Sequence, residues 1–204
     1  MRTLTIELDV RDRPALVIGA RGEAVSKIER LLHAGARVTV IASNSVDPSV
    51  EEAAREGRIE LLRRAPDDRD VEGRAVVFIE PGEPSDSNLS RRLFERARAL
   101  GTLLCTLDRP EVSTFINPAV VHVSGLSMSV STGGRSPALA RRIREDLEAI
   151  FRDERFARFL DALGALRSAL PRGERGARIK EAVEGFKIEA RLRFPGWFER
   201  GEGP

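Results

Sequence analysis

The stretch Pro14-Ala-Leu-Val-Ile-Gly-Ala-Arg-Gly-Glu-Ala24 decides the fold of this chain. An apolar run ends at Gly19, and from Ala24 onward the apolar residues recur at the spacing of one helix face. Gly35 is placed to end that helix, and a second β-branched run follows at residues 37–42. The order strand, glycine turn, helix, strand predicts one βαβ unit.

The glycine turn predicts a dinucleotide site, because backbone N–H groups and the positive end of a helix face a phosphate there. The spacing departs from the G-x-G-x-x-G/A pattern, since Arg21 stands at the middle position and Gly22 follows it. Ser43 and Asn44 replace the usual acidic residue after the second strand. The motif alone leaves nucleotide binding and a plain strand-to-helix turn both open. Arg21 either fills the pyrophosphate site or turns outward and pairs with a phosphate.

Length and composition limit the class of protein. The 204 residues suffice for one large domain or a medium domain with a smaller partner. No run of eighteen apolar residues and no signal peptide is evident, and Cys105 is the only cysteine. We therefore expect a cytoplasmic protein with no membrane partner, no disulfide and no cysteine metal site. Arginine greatly outnumbers lysine, which indicates either a polyanionic ligand or a compositional bias. Like charges form no long block, so no nucleic-acid partner is expected.

Strand and helix patterns continue to alternate as far as residue 107. We expect a short strand at 3–10, helices at 48–56 and 88–100, and strands at 59–62, 75–79 and 102–107, with a loop at 80–86. Such an order is typical of a parallel sheet with right-handed crossovers. The loops after Ile18, Ala42, Ile79 and Leu107 would then share the rim where ligands of such sheets bind.

The pattern changes after residue 117. Two strands, 118–123 and 126–131, are predicted around a tight turn, and Ser136 and Pro137 begin a helix to about Phe151. From residue 152 the chain is predicted to be helical, with an apolar stripe after residue 155 and another helix at 179–192. His122 lies on the first of these strands, where a contact with a second subunit and a role in proton transfer both stay open.

Several segments together resemble one family. They are Leu4-Thr-Ile-Glu-Leu-Asp-Val-Arg-Asp-Arg-Pro-Ala-Leu-Val-Ile-Gly19, Leu31-Leu-His-Ala-Gly-Ala-Arg-Val-Thr-Val40, Glu56-Gly-Arg-Ile-Glu-Leu61, Phe115-Ile-Asn-Pro-Ala119 and Ser131-Thr-Gly-Gly-Arg-Ser-Pro-Ala-Leu-Ala-Arg-Arg142. In order and spacing they are similar to the precorrin-2 dehydrogenase / sirohydrochlorin ferrochelatase family, of the siroheme-synthase N-terminal type. The resemblance covers residues 1–150, and its most specific part is the Ser-Thr-Gly-Gly-Arg-Ser-Pro segment.

The resemblance implies an architecture and a reaction. The fold would be α/β: a Rossmann-like doubly wound parallel sheet at 1–112, a small strand-and-helix dimerisation segment at 113–150 and a helical C-terminal domain at 151–204, assembled as a homodimer. The reaction would be NAD-dependent oxidation of precorrin-2 to sirohydrochlorin, a tetrapyrrole, with iron insertion as a further step in some members.

The resemblance also implies site residues. Asp108 would be catalytic. Without the resemblance, the residues around it favour a role as a turn residue before Arg109-Pro110. NAD would be bound by Gly19, Ala20, Arg21, Gly22, Glu23, Ala24, Ser43 and Cys105. The substrate would be bound by Thr132, Gly133, Gly134, Arg135 and Ser136. No residue is expected to hold a resident metal.

Three departures from the family pattern lie on the nucleotide side. The chain has Gly19-Ala-Arg21 where members usually carry three glycines, Pro81-Gly-Glu-Pro84 where they carry Ala-Thr-Asp-Asp, and Cys105 where they carry Asn. Asp108 and the Gly-Gly-Arg-Ser-Pro segment match. A second interpretation therefore stays open: a non-oxidising member that binds a tetrapyrrole as chelatase, carrier or partner subunit.

Overall fold

The computed structural model describes residues 3–80 and 87–201. The chain forms two compact units, residues 1–118 and residues 119–204. Within the described residues, no helix is long and apolar enough to cross a membrane. The loop expected at 80–86 lies, beyond Glu80, outside the described residues.

The first unit is built on a five-stranded parallel sheet. Its strands are β1 (Pro14–Ile18), β2 (Arg37–Ile41), β3 (Ile59–Leu62), β4 (Val76–Ile79) and β5 (Leu103–Thr106), in the order β3-β2-β1-β4-β5. Its helices are α1 (Gly22–His33), α2 (Pro48–Arg55) and α3 (Ser87–Leu100), and a short 3₁₀ turn spans Pro110–Val112. The order reverses beside β1, which makes the carboxyl end of β1 a topological switch point. The predicted α/β fold is confirmed.

Successive side chains of the central strands point to opposite faces of the sheet. Ala15 and Val17 join the core on the face that packs against α1 and α2, with Ile28 among its members. Leu16 and Ile18 join the core on the opposite face, which Leu93 of α3 covers. Both faces of β1 are thus buried, which is why its sequence is an unbroken apolar run.

Local signals set the ends of the helices around the sheet. The Asp47 side chain accepts a hydrogen bond from the Ser49 N–H and caps α2, with Pro48 at the first helical position. Gly35 follows α1 with φ of +77°, the left-handed conformation that ends a helix. These ends fall within a residue or two of the positions that the sequence predicts.

The second unit begins with an antiparallel hairpin of β6 (Ala119–Val123) and β7 (Leu126–Val130). Ser124 and Gly125 join the strands with φ of +52° and +77°, as a two-residue type I′ turn requires. Four helices follow: α4 (Pro137–Phe151), α5 (Glu154–Ala169), α6 (Arg175–Ala182) and α7 (Gly196–Glu199). The apolar stripe predicted after residue 155 lies on α5 and is half-buried throughout.

Two sequence predictions are wrong. Residues 3–10 form neither strand nor helix, and Leu4 on the apolar side of the expected strand is 85% exposed. Alternation shows which side of a strand would be apolar, but a strand also needs a neighbour to pair with, and no described strand pairs with this segment. The helix expected at 179–192 ends at Ala182, because Gly185 adopts φ of +87° and the chain turns there. Phe186 then packs on Phe159, with 5.6 Å between ring centroids.

Candidate functional site

The candidate site is the rim at the carboxyl ends of the parallel strands. The β1–α1 turn, the loop after β2, Glu80 after β4 and Asp108 after β5 all lie at this edge, since the four strands run in one direction. The structure therefore brings together the predicted nucleotide turn and the predicted catalytic carboxylate in one unit.

The β1–α1 turn contains two glycines with positive φ. Gly19 has φ of +108° and donates its N–H to the Ile41 carbonyl oxygen at 2.9 Å, which ties the turn to β2. Arg21 is extended and occupies the N-cap position of α1, and its side chain caps no helix N–H. Gly22 begins the helix with φ of +48°. The first turn of α1 thus presents its positive end at the rim without a capping side chain of its own.

The Glu80 carboxylate lies in this turn. Its Oε2 accepts a hydrogen bond from the Arg21 backbone N–H at 3.2 Å. A Cβ atom added to Gly19 would stand 2.5 Å from the Glu80 Cβ and 2.6 Å from Oε2. A Cβ added to Gly22 would stand 2.8 Å from Oε1. Both glycines are therefore required by the close approach of the Glu80 side chain as well as by their positive φ.

The Arg21 side chain points away from the turn. Its Nη1 donates to the Ser45 Oγ at 2.9 Å, in the exposed loop after β2 that also contains the predicted residue Ser43. The nearby Asp47 has its pKa lowered, first by hydrogen bonds from Ser49 and also by the charge of Arg21. Arg21 thus does not fill the turn. It adds a cation beside the end of β2, where the ribose of a dinucleotide lies in folds of this type.

Asp108 is exposed at the end of β5 and has φ of +59°. Left-handed backbone is uncommon outside glycine, and Asp tolerates it better than most residues. The turn around it is held by Leu107 N–H to Ile79 O at 2.9 Å and Arg109 N–H to Thr106 O at 3.1 Å. The backbone of this turn therefore places the exposed Asp108 carboxylate at the rim, where a proton acceptor could lie.

Cys105 lies below the rim and is 5% exposed. Burial raises the pKa of its thiol, and the backbone hydrogen bond from Asn117 and the charge of Lys27 oppose that shift. A buried thiol with a raised pKa packs as a small apolar group and is a poor nucleophile. The prediction that it contacts the cofactor stays a prediction.

The predicted substrate segment belongs to the second unit. The Thr132 Oγ1 donates to the Ser136 carbonyl oxygen at 3.0 Å and accepts from the Ser136 N–H at 3.1 Å, which closes the loop. Gly133 and Gly134 have φ of +64° and +81° and are exposed, as is Arg135. Ser136 caps α4 by accepting from the Leu139 N–H at 3.3 Å. The loop is closed by these hydrogen bonds and presents the glycine backbone and one guanidinium to solvent.

Two charged residues of the first unit are not among the site residues predicted from the sequence. Glu80 was expected only as the start of a loop, and Lys27 was not singled out as a site residue. Lys27 is 8% exposed on α1, with its Nζ 3.7 Å from the Glu23 Oε2. Its signal was present, since a lysine on the apolar face of an amphipathic helix is unusual. Among the described residues, no group of three or more His, Cys, Asp or Glu is placed to hold a metal ion.

The sequence of this chain is similar to known protein families. Residues 6–119 match the family model described as "Putative NAD(P)-binding", and residues 124–150 match the model described as "Sirohaem biosynthesis protein central". The siroheme synthase of Methylobacillus flagellatus is 35% identical over 150 residues, covering 74% of this chain and 31% of that protein. The siroheme synthase of Methylococcus capsulatus is 33% identical over 204 residues, covering 100% of this chain and 39% of that protein.

A solved structure shares the fold. The structure of SirC, precorrin-2 dehydrogenase, superposes with a TM-score of 0.75 at 22% identity, covering 90% of each chain. The present chain spans about a third of the length of the curated relatives that it matches. The model match over residues 6–119 covers more than half of the chain, and the family resemblance of the sequence is confirmed. The chain therefore belongs to the family whose model is described as "Putative NAD(P)-binding".

Proposed function

We propose that this chain oxidises precorrin-2 to sirohydrochlorin with NAD as the hydride acceptor. The observation that carries the proposal is the succession of the two family matches along one chain, an NAD(P)-binding model and then a sirohaem-biosynthesis model. The name of the structural neighbour SirC, precorrin-2 dehydrogenase, supports the same reaction. The geometry of the rim supports it as well, because a glycine turn at a helix N-terminus and the exposed Asp108 carboxylate lie at the same edge of the sheet.

The β1–α1 turn is suited to an anionic group. The Glu80 carboxylate lies against it and accepts the Arg21 N–H, so the turn has the shape and polarity that one charged oxygen needs. The residues that would hold the dinucleotide are those predicted for it: Gly19, Ala20, Arg21, Gly22, Glu23, Ala24, Ser43 and Cys105. When bound, the nicotinamide supplies the acceptor for the hydride that the substrate loses.

Asp108 is proposed as the group that takes the proton. Dehydrogenation removes a hydride and a proton from the substrate, and the proton needs a base at the site. The Asp108 carboxylate is exposed at the rim, on a residue with φ of +59°. Thr132, Gly133, Gly134, Arg135 and Ser136 are proposed to bind the carboxylate arms of the tetrapyrrole, for which backbone N–H groups and a guanidinium are fitting partners.

The assay is an anaerobic incubation of the purified chain with precorrin-2, with and without NAD, followed by absorption spectroscopy. We expect sirohydrochlorin only when NAD is present. Asp108→Asn should lower kcat by about 10²–10⁴-fold, since that is the usual contribution of a positioned general base. Asp68→Asn removes an exposed carboxylate that pairs with Arg92 and should have no effect. An unchanged precorrin-2 spectrum in the presence of NAD would contradict the proposal.

A homodimer is proposed with the same function. The β6–β7 sheet has only two strands among the described residues, and Leu126, Met128 and Val130 on β7 are half-exposed. A two-stranded sheet has marginal stability without further packing, so a second copy of the chain could stabilise it by packing on its apolar side chains. Light scattering on a gel-filtration column should give twice the 22.5 kDa of the chain. A mass of 22.5 kDa would contradict the dimer.

The domain boundaries at residues 112 and 150 stay predictions, and so does the cytoplasmic location.

One observation favours a second candidate, the non-oxidising family member. The Glu80 carboxylate occupies the turn in which a pyrophosphate would lie. Such a protein would bind sirohydrochlorin and insert ferrous iron or pass the tetrapyrrole on, and it would do so without NAD. In the assay above it would leave precorrin-2 unchanged. Incubation with sirohydrochlorin and ferrous iron would then distinguish a chelatase, which inserts the iron, from a carrier, which does not.

A further inference from the structure

The side chain of Glu80 fills the β1–α1 turn with an internal anion. Its two carboxylate oxygens lie over different parts of the turn. Oε2 would be 2.6 Å from a Cβ atom added to Gly19, and Oε1 would be 2.8 Å from a Cβ atom added to Gly22. Oε2 also accepts the Arg21 N–H at 3.2 Å, the bond to the N-cap residue that a capping-box glutamate makes. Here the acceptor is the residue that follows β4, 59 residues away along the chain.

A pyrophosphate and this carboxylate compete for the same place. In a dinucleotide fold the glycine positions allow the backbone to approach the pyrophosphate closely. The Glu80 carboxylate, which packs against both glycines, occupies the space that the phosphate needs and repels its negative charge. We infer that Glu80 is a displaceable gate on the dinucleotide site, so that NAD binds only after the Glu80 side chain leaves the turn. This inference rests on the proposed function, because it concerns the same turn.

The structure indicates that the gate can open without unfolding the sheet. The Glu80 N–H donates to the Ile18 carbonyl oxygen at 2.8 Å, so its backbone is fixed at the end of β4. The side chain is half-buried and therefore faces solvent on one side. Rotation about its side-chain bonds, between staggered rotamers, is enough to remove the carboxylate from the turn. The Arg21 side chain does not take part in the blockage, since its guanidinium is bonded to Ser45.

A gate of this kind lowers the apparent affinity by a definite rule. The measured Kd equals the intrinsic Kd divided by the fraction of molecules in which the turn is open. Removal of the side chain makes that fraction one, and removal of the charge alone raises it in part. We therefore expect Glu80→Ala to lower the Kd for NAD by roughly tenfold or more, and Glu80→Gln to lower it by a smaller factor.

The test is isothermal titration of the full chain with NAD for the wild type, Glu80→Gln and Glu80→Ala. Glu72→Gln is the matched control, because it removes an exposed carboxylate that pairs with Arg96 at 2.6 Å and lies outside the turn. Its Kd should equal that of the wild type. Thermal denaturation followed by circular dichroism checks that each variant folds. Glu80→Gln is nearly isosteric and keeps the test available if Glu80→Ala is unstable.

The outcomes separate the gate from the proposed function. A lower Kd in both Glu80 variants and not in Glu72→Gln supports the gate. Equal Kd values in all four proteins overturn it and leave NAD binding intact, and a higher Kd in the Glu80 variants overturns it by showing that Glu80 helps to bind. No binding by any protein overturns both the gate and the role of NAD. Tight NAD binding by Glu80→Ala without oxidation of precorrin-2 supports the gate and contradicts the proposed reaction.

Discussion

Replacement of Gly19 by alanine tests the packing of the β1–α1 turn. Two costs add at this position. A side chain at φ of +108° is in the left-handed half of the backbone map, which costs about 1–2 kcal/mol. The new Cβ also stands 2.5 Å from the Glu80 Cβ, and such overpacking costs about 1–3 kcal/mol more. We therefore expect Gly19→Ala to lower the free energy of unfolding by about 2–5 kcal/mol.

Gly57→Ala is the matched control. Gly57 follows α2 with φ of +72°, and a Cβ there meets nothing within 4 Å, so only the backbone cost of about 1–2 kcal/mol applies. Urea unfolding followed by circular dichroism measures both variants, and the difference between them should be about 1–3 kcal/mol. In a Glu80→Gly background that difference should disappear. Equal destabilisation by Gly19→Ala and Gly57→Ala in the original chain would refute the placement of Glu80 in the turn.

Three further predictions concern single residues. Arg21→Gly should weaken NAD binding about two- to fivefold, since the guanidinium lies beside the Ser45 loop and its loss removes one exposed cation. Ser136→Ala should lower the free energy of unfolding of the second unit by about 1 kcal/mol, because it removes the acceptor for the Leu139 N–H at the start of α4. Cys105 should resist alkylation by iodoacetamide at pH 8 in the folded chain, because burial raises its pKa and keeps it protonated at that pH.

Each of these predictions has a control. Stronger NAD binding by Arg21→Gly would show that the side chain blocks the site after all. Ser168→Ala, which removes a hydroxyl that donates to the Gly164 carbonyl oxygen within α5, should change the stability much less than Ser136→Ala. The urea-unfolded chain should be alkylated at Cys105 at the rate of a free thiol. An equally fast reaction of the folded chain would contradict the burial of the thiol.

Most of the fold could be predicted from local patterns. The helix starting at Pro137 was predicted to its first residue, because Ser136 and Pro137 are strong start signals. The placement of Glu80 could not be predicted locally. It follows from the pairing of Ile18 with Ile79, which brings the residue after β4 beside Gly19. The prediction of a strand around Leu4 is wrong for a related reason, because the sequence pattern of one segment does not show whether a partner strand lies beside it.

A two-dimensional ¹⁵N–¹H spectrum of the labelled chain shows directly where NAD binds. Added NAD should shift the amide signals of residues 19–24 and Ser43 the most. The Arg21 amide should change because it loses its bond to Glu80. Shifts of that size confined to other parts of the chain, or no shifts at saturating NAD, would contradict the assignment of the β1–α1 turn as the dinucleotide site.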